Sequence, residues 1–209
     1  AMASRRVLPT ASGLAEAGRW LREGRLVAFP TETVYGLGAN ALDDAAVRSI
    51  FRAKGRPLTD PVIVHVPTTE HALELLDLDA AARSVFVQLA DRFWPGPLTV
   101  VLPTDRPMSA LGIDGTIGVR CPEDRFVRDV ARHTGPLATT SANCHGEPTP
   151  TNAQSAAAGL LGVVDLVVDG GVRSGQPSTV AAVSPTVVVF RSGPISAEQI
   201  EQHAKNAPE

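Results

Sequence analysis

The chain has 209 residues, 44% of them hydrophobic and 20% charged, with 22 acidic against 19 basic side chains and a formal net charge of −3. That length suits one domain with a substantial apolar core, and the composition excludes disordered, mucin-like and collagen-like classes. The slightly negative balance argues against a generally basic nucleic-acid-binding module.

Residues 11–23 bring Leu14, Trp20 and Leu21 to helical spacing, and Gly24 ends the pattern. Leu26 to Phe29 reads as a buried strand stopped by Pro30. The segment after it, Thr31 to Gly38, is too rich in hydroxyls and glycines for a plain connection. Asp43 and Asp44 are candidate caps for a helix through Ala45, Val47, Ile50 and Phe51, ending near Gly55 and Pro57. Pro61 to Val66 predicts a second buried strand, 69–76 and 79–93 predict helices, and Trp94 to Pro97 is a rigid turn. Leu98 to Leu102 and Thr116 to Arg120 predict strands, and Glu123 and Asp124 suit the first turn of a helix through Val127 and Val130. Leu137 to Thr139 leads into the polar run Thr140 to Asn143. Thr151 or Asn152 caps an Ala-rich helix to Leu161. Val163 to Val168 and Val187 to Phe190 add strands, and Ser196 caps a last short helix before a tail that frays after 205. Gly170 to Thr179 is a long flexible segment between strands. With no repeat and no long linker, the alternation predicts one α/β domain with a mixed sheet.

Cys121 and Cys144 have neither metal-ligand spacing nor the density of a disulfide scaffold, so a reducing compartment is the simplest reading. No stretch approaches a transmembrane span and no signal-peptide apolar region is visible, so a cytoplasmic location is expected. The histidines form no ligand set, so no protein-held metal is expected. Lys54 and Lys205 are the lysines of an otherwise arginine-based cationic set, and Lys54 lies in a Gly/Arg/Pro segment.

Polar clusters gather at the predicted strand ends, where open α/β sheets bind ligands. Thr31, Thr33 and Tyr35 with Gly36 and Gly38 form either a ligand-contacting loop or a tight turn with local hydroxyl bonds. Lys54, Gly55, Arg56 and Pro57 offer a phosphate clamp or a charged helix end that complements the dipole. Ser141 and Asn143 could orient a nucleotide or simply make a turn. Ser178 and Thr179 form a fourth cluster. Arg191 and Arg120 end strands, each either solvated or positioned for an anion, with Arg120 suited to a carboxylate. His65 is either a satisfied core histidine or a pocket residue, and spacing does not decide. No Walker A, dinucleotide fingerprint or nucleophile elbow is present.

Seven of these pieces, taken in order, resemble the YrdC/TsaC family. They are Phe29 to Gly38 (FPTETVYGLG), Lys54 to Pro57 (KGRP), Phe93 to Thr99 (FWPGPLT), Val119 to Pro122 (VRCP), Thr140 to Asn143 (TSAN), Pro177 to Val180 (PSTV) and Arg191 to Gly193 (RSG). The resemblance covers residues 10–200, read as one YrdC-like domain with 1–9 and 201–209 as terminal tails. It implies an α/β fold with a YrdC-like twisted mixed sheet, flanking helices and a large concave ligand cavity. A lone domain of this length resembles the short bacterial form. Where many relatives carry an acidic residue after the Ser-Thr-Val piece, this chain has Ala181 and Ala182.

The activity implied is that of an L-threonylcarbamoyladenylate synthase. It joins L-threonine, bicarbonate and ATP into threonylcarbamoyl-AMP and pyrophosphate, which tRNA threonylcarbamoyl transferase proteins then consume in modifying adenosine 37. Carried over residue by residue, Lys54 and Arg56 would hold the ATP phosphates as catalytic residues. Ser141, Asn143 and Arg191 would line the nucleotide side with them. Thr33, His65, Arg120 and Thr179 would surround threonine, while Thr31, Tyr35 and Ser178 would be pocket residues without assigned partners. Magnesium (Mg2+) would travel with ATP rather than in a protein cage. Two other readings stay open. One is a related carbamoyl-adenylate-forming enzyme, as in hydrogenase maturation proteins. The other is an RNA-binding or ribosome-associated protein, for which the patch from Arg48 through Arg56 could make weak RNA contact.

Overall fold

The sequence alternates short apolar runs with amphipathic stretches, and a computed structural model shows how they assemble. It describes residues 5–54, 62–106, 115–143, 149–159, 164–173 and 175–205. The first half contains β1 (Arg5–Val7), α1 (Ala11–Arg22), β2 (Val27–Pro30), β3 (Tyr35–Asn40), α2 (Asp44–Lys54), β4 (Ile63–His65), α3 (Thr69–Leu75), α4 (Ala80–Phe93) and β5 (Leu98–Pro103). The second half contains β6 (Thr116–Arg120), α5 (Arg125–Thr134), β7 (Leu137–Ser141), α6 (Ala153–Gly159), β8 (Leu166–Val168), β9 (Thr179–Ala182), β10 (Val188–Arg191) and α7 (Ala197–Lys205).

The strands of the described residues join in one mixed sheet, ordered β1-β8-β2-β3-β7-β4-β6-β5-β9-β10. The pairs β1/β8, β2/β8, β4/β6 and β5/β9 are parallel, and the remaining neighbours are antiparallel. Side chains alternate between the faces of a strand, and the apolar cores follow that alternation. Val27, Phe29, Leu137, Leu166 and Val168 pack with Ala17 and Leu21 of α1 and Val127 and Val130 of α5. Ala28, Ala138 and Val167, one residue away in each strand, join the larger core on the other face with Ile50 and Phe51 of α2, Phe86 and Leu89 of α4 and Ile200 of α7. Helices therefore cover both faces, giving the layered α/β architecture.

Helix starts follow local chemistry. Asp43 accepts from Ala46 N at 3.1 Å, Asp79 from Ala82 N at 2.8 Å, and Asp124 from Val127 N at 3.2 Å. Asn152, not Thr151, caps α6 through Ser155 N at 2.8 Å. Ser196 accepts from Gln199 N at 3.2 Å while Gln199 Oε1 accepts from Ser196 N at 2.9 Å, a reciprocal capping box.

Three strands lie where the sequence reading predicts none. β1 pairs with β8, so part of the 1–9 segment enters the sheet, and α7 likewise extends to Lys205. β9 is a four-residue strand beside β5. β3 carries Gly36 and Gly38, poor strand formers that make room for a neighbour. A Cβ at Gly38 would sit 2.4 Å from Phe29 Cε1, so the aromatic ring of β2 lies across the glycine face of β3.

Candidate functional site

The Thr31–Val34 turn between β2 and β3 is built by side-chain-to-backbone bonds. Thr31 Oγ1 accepts from Thr33 N and Val34 N, each at 3.2 Å, and donates to Val34 O at 2.7 Å. With its proton so committed, Thr31 accepts from the Thr33 hydroxyl at 2.8 Å. Thr33 Oγ1 in turn accepts from Arg120 Nη1 at 3.2 Å. Arg120 also donates through Nε to Gly96 O at 3.0 Å and through Nη2 to Glu32 Oε1. Glu32 Oε2 accepts from Asp124 N at 3.4 Å, at the start of α5. The guanidinium is thus held by the β2–β3 turn, the turn before β5 and its own strand.

A second network lies at the β9 and β10 end. Arg191 donates through Nε to Ser178 O at 2.9 Å and through Nη2 to Ser178 Oγ at 3.0 Å, and Ser178 Oγ meets Thr99 Oγ1 at 2.8 Å. The Gly96–Pro97 turn joins the two networks, because Thr179 N donates to Pro97 O at 3.0 Å beside the Arg120 contact at Gly96. Gly193 is required beside Ser178: a Cβ there would lie 2.5 Å from Thr179 N and 2.8 Å from Pro177 O.

Burial lowers the Arg120 pKa while the Glu32 charge opposes that shift. Burial, and then the positive charge of Arg120, lower the Arg191 pKa, so the two cations feel one another. His65 pairs in register with Arg120, and burial followed by the Arg120 charge pushes its pKa down to about 3. Its imidazole is therefore neutral at physiological pH. Cys121 is buried and its thiol is pushed up to about 11, mainly by burial, which suits a structural thiol and not a nucleophile.

Strand register sorts the candidates by face. Leu137, His65 and Arg120 are cross-strand partners and share a face. Counting by twos along β7 puts Ser141, the partner of Gly36, on that face as well. Thr99 lies one residue from Val100, the partner of Val119, and so shares the Arg120 face; Arg191, partner of Val180 next to Thr99, does too. Ser141 Oγ donates to Asn143 Oδ1 at 2.5 Å.

Tyr35 and Thr179 lie on the opposite face. The Tyr35 hydroxyl donates to Gly171 O at 2.6 Å and accepts from Gly170 N at 3.1 Å, and burial raises its pKa. The Thr179 hydroxyl donates to Ile195 O at 2.7 Å and accepts from Ile195 N at 3.0 Å. The structure thus brings Thr31, Thr33, His65, Arg120, Ser178 and Arg191 together and turns the Tyr35 and Thr179 hydroxyls away. The Lys54 side chain and Arg56 lie outside the described residues.

Three members of these networks went unread in the sequence. Glu32 carried a signal, as the one charged residue between Phe29 and Gly38. Thr99 sat inside a quoted motif as an ordinary strand threonine. Arg173 had no local signal, yet it donates to Thr31 O at 2.9 Å and Gly170 O at 2.7 Å and lies 3.4 Å from Asp124 Oδ2. It thereby binds the segment after β8 to the Thr31–Val34 turn.

No group of three or more His, Cys, Asp or Glu side chains able to hold a metal ion occurs among the described residues, and no described helix is long and apolar enough to cross a membrane. One face of this mixed α/β sheet gathers the buried Arg120, the exposed strand-end Arg191 bonded to Ser178, a neutral histidine and hydroxyls, a donor set whose chemistry suits an anionic small ligand.

The comparisons with known proteins define that class more closely. The Sua5/YciO/YrdC family profile, described as telomere recombination, matches residues 19–193. The threonylcarbamoyl-AMP synthase of Pyrococcus abyssi is 43% identical over 192 residues, covering 89% of this chain and 55% of that protein. The threonylcarbamoyl-AMP synthase of Bacillus subtilis is 42% identical over 195 residues, covering 90% of this chain and 55% of that protein. Among solved structures, P. abyssi Sua5 complexed with L-threonine matches with a TM-score of 0.87 at 38% identity, covering 98% of this chain and 61% of that one. The chain spans about half the length of the two curated relatives. It belongs to the Sua5/YciO/YrdC family.

Proposed function

We propose that the chain is an L-threonylcarbamoyladenylate synthase, converting L-threonine, bicarbonate and ATP to threonylcarbamoyl-AMP and pyrophosphate. The observation that carries this reading is the Arg120 network, a buried guanidinium fixed beside Thr33 and in register with neutral His65. Relatives named threonylcarbamoyl-AMP synthase that align over nearly the whole chain support the same reading.

In this account Arg120 receives the carboxylate of L-threonine, with Thr33 and His65 beside it. Thr31 fixes Thr33, and Ser178 orients Arg191. Ser141, Asn143 and Arg191 face the nucleotide, while Lys54 and Arg56 hold the triphosphate, with which magnesium arrives. Tyr35 and Thr179 act as framework, because their hydroxyls bind the Gly170–Gly171 backbone and Ile195. The amine of threonine and bicarbonate yield a carbamate with loss of water. A carbamate oxygen then attacks the α-phosphorus, and pyrophosphate leaves. Such a transfer needs positioning and charge stabilisation and no protein nucleophile. The product is a mixed anhydride, suited to consumption by a transferase that acts on tRNA.

The test is mass spectrometry of the purified chain incubated with magnesium, ATP, L-threonine and bicarbonate. Threonylcarbamoyl-AMP is the expected product, and no threonine-dependent adenylate would contradict the reading.

A further inference from the structure

Glu32 is the carboxylate against which the buried cation of this site is set. We propose that Glu32 is a positioning residue for Arg120, holding the guanidinium in the orientation that receives a substrate carboxylate and so setting selectivity for the free amino acid. This rests on the functional reading above for the choice of ligand.

The geometry carries the proposal. Arg120 Nε, Nη1 and Nη2 each have a different partner, Gly96 O, Thr33 Oγ1 and Glu32 Oε1. These bonds use three of the five N–H donors of a guanidinium, and the remaining two suit a carboxylate. Two of the three partners are fixed independently. Gly96 is a backbone carbonyl in a turn whose N–H donates to Cys121 O at 2.9 Å, and Thr33 is bound to Thr31 at 2.8 Å. Glu32 is fixed through its second oxygen, which accepts from Asp124 N at 3.4 Å. Both carboxylate oxygens are thus bound, one to the arginine and one to the start of α5.

Charge points the same way. The Arg120 side chain is 4% exposed and that of Glu32 20%, so the cation is the more deeply buried partner and needs the compensation. Arg191 is close enough for Arg120 to lower its pKa, and His65 is neutral. Glu32 therefore offsets the charge of Arg120, and the neutral His65 adds none. Without Glu32 the Arg120 charge would lose that compensation and its plane would lose its only ionic anchor among these bonds.

The experiment is calorimetric titration of the full chain with L-threonine and, separately, with L-threonine amide, which lacks the carboxylate. Wild type, Glu32→Ala and Glu32→Gln are compared, with product formation by the wild type run in parallel. Glu32→Ala should weaken L-threonine binding by about tenfold or more while changing the amide by less than about twofold, because only the carboxylate uses the aimed guanidinium. Glu32→Gln, which keeps an acceptor for Nη2, should recover part of that loss. Equal weakening of both ligands, or unchanged L-threonine affinity in Glu32→Ala, would overturn the proposal. So would a wild type that binds no L-threonine. A wild type that binds L-threonine but forms no adenylate would sink the functional reading and still leave Glu32 judged by its binding ratio.

Discussion

His65 titrates against its burial, and the consequence can be read in stability. Its pKa in the folded chain is about 3, well below the ordinary value of 6.5. Above pH 6.5 neither state binds the proton and the group has no effect on the pH dependence. Below 6.5 the unfolded chain takes up a proton that the folded chain refuses. Stability is therefore lost as pH falls from 6.5 towards 3, with a limiting slope from this group of about 1.4 kcal/mol per pH unit. His65→Gln should flatten that slope in urea unfolding between pH 6.5 and 4.5; an unchanged slope would contradict the burial account. Arg120→Ala should cost about 3 kcal/mol in the same assay at neutral pH, because it strands Glu32 beside lost partners. Lys54→Ala should lower synthase activity at least about a hundredfold if Lys54 binds the triphosphate, and Lys205→Ala should leave it unchanged. Residue types at strand ends were readable beforehand, since Arg120, His65 and Arg191 stood out against apolar runs. Their partners were not. Arg120 meets a carboxylate 88 positions away, and no local pattern encodes that pairing.

At the scale of elements, the helices were the most legible parts because their signals are local. Helical spacing places α3, α4 and α5 within a residue or two of where they form, with Thr68, Asp79 and Asp124 as their caps. Asp124→Ala should remove the α5 cap and cost about 1 kcal/mol, lowering the melting temperature, while Asp124→Asn should restore much of it. The missed strands lacked such signals. β1 has three residues, two of them arginines, and β9 is four residues of Thr, Val and Ala. β3 hid behind its glycines, which read as turn residues until Phe29 is seen lying across them. Gly38→Ala should destabilise by about 1–3 kcal/mol through that clash, measurable as a shifted urea midpoint. A neutral effect would mean that the β2–β3 packing is looser than described.

For the whole molecule, α/β class and a mixed sheet followed from composition and alternation, and the order of the ten strands among the described residues did not. Strand order depends on register and long-range pairing, which a single sequence leaves open. Register is also what divides the candidate site. Clusters that looked equivalent along the chain separate into one face carrying Ser141, His65, Arg120 and Arg191 and another carrying Tyr35 and Thr179. A sheet period of two makes that division inevitable once the pairing is known. The proposed adenylation of three substrates on this polar face is tested most directly by pyrophosphate release from magnesium-ATP with L-threonine or bicarbonate omitted in turn. Release that requires both is the predicted result; release independent of L-threonine, or none with all three present, would contradict it.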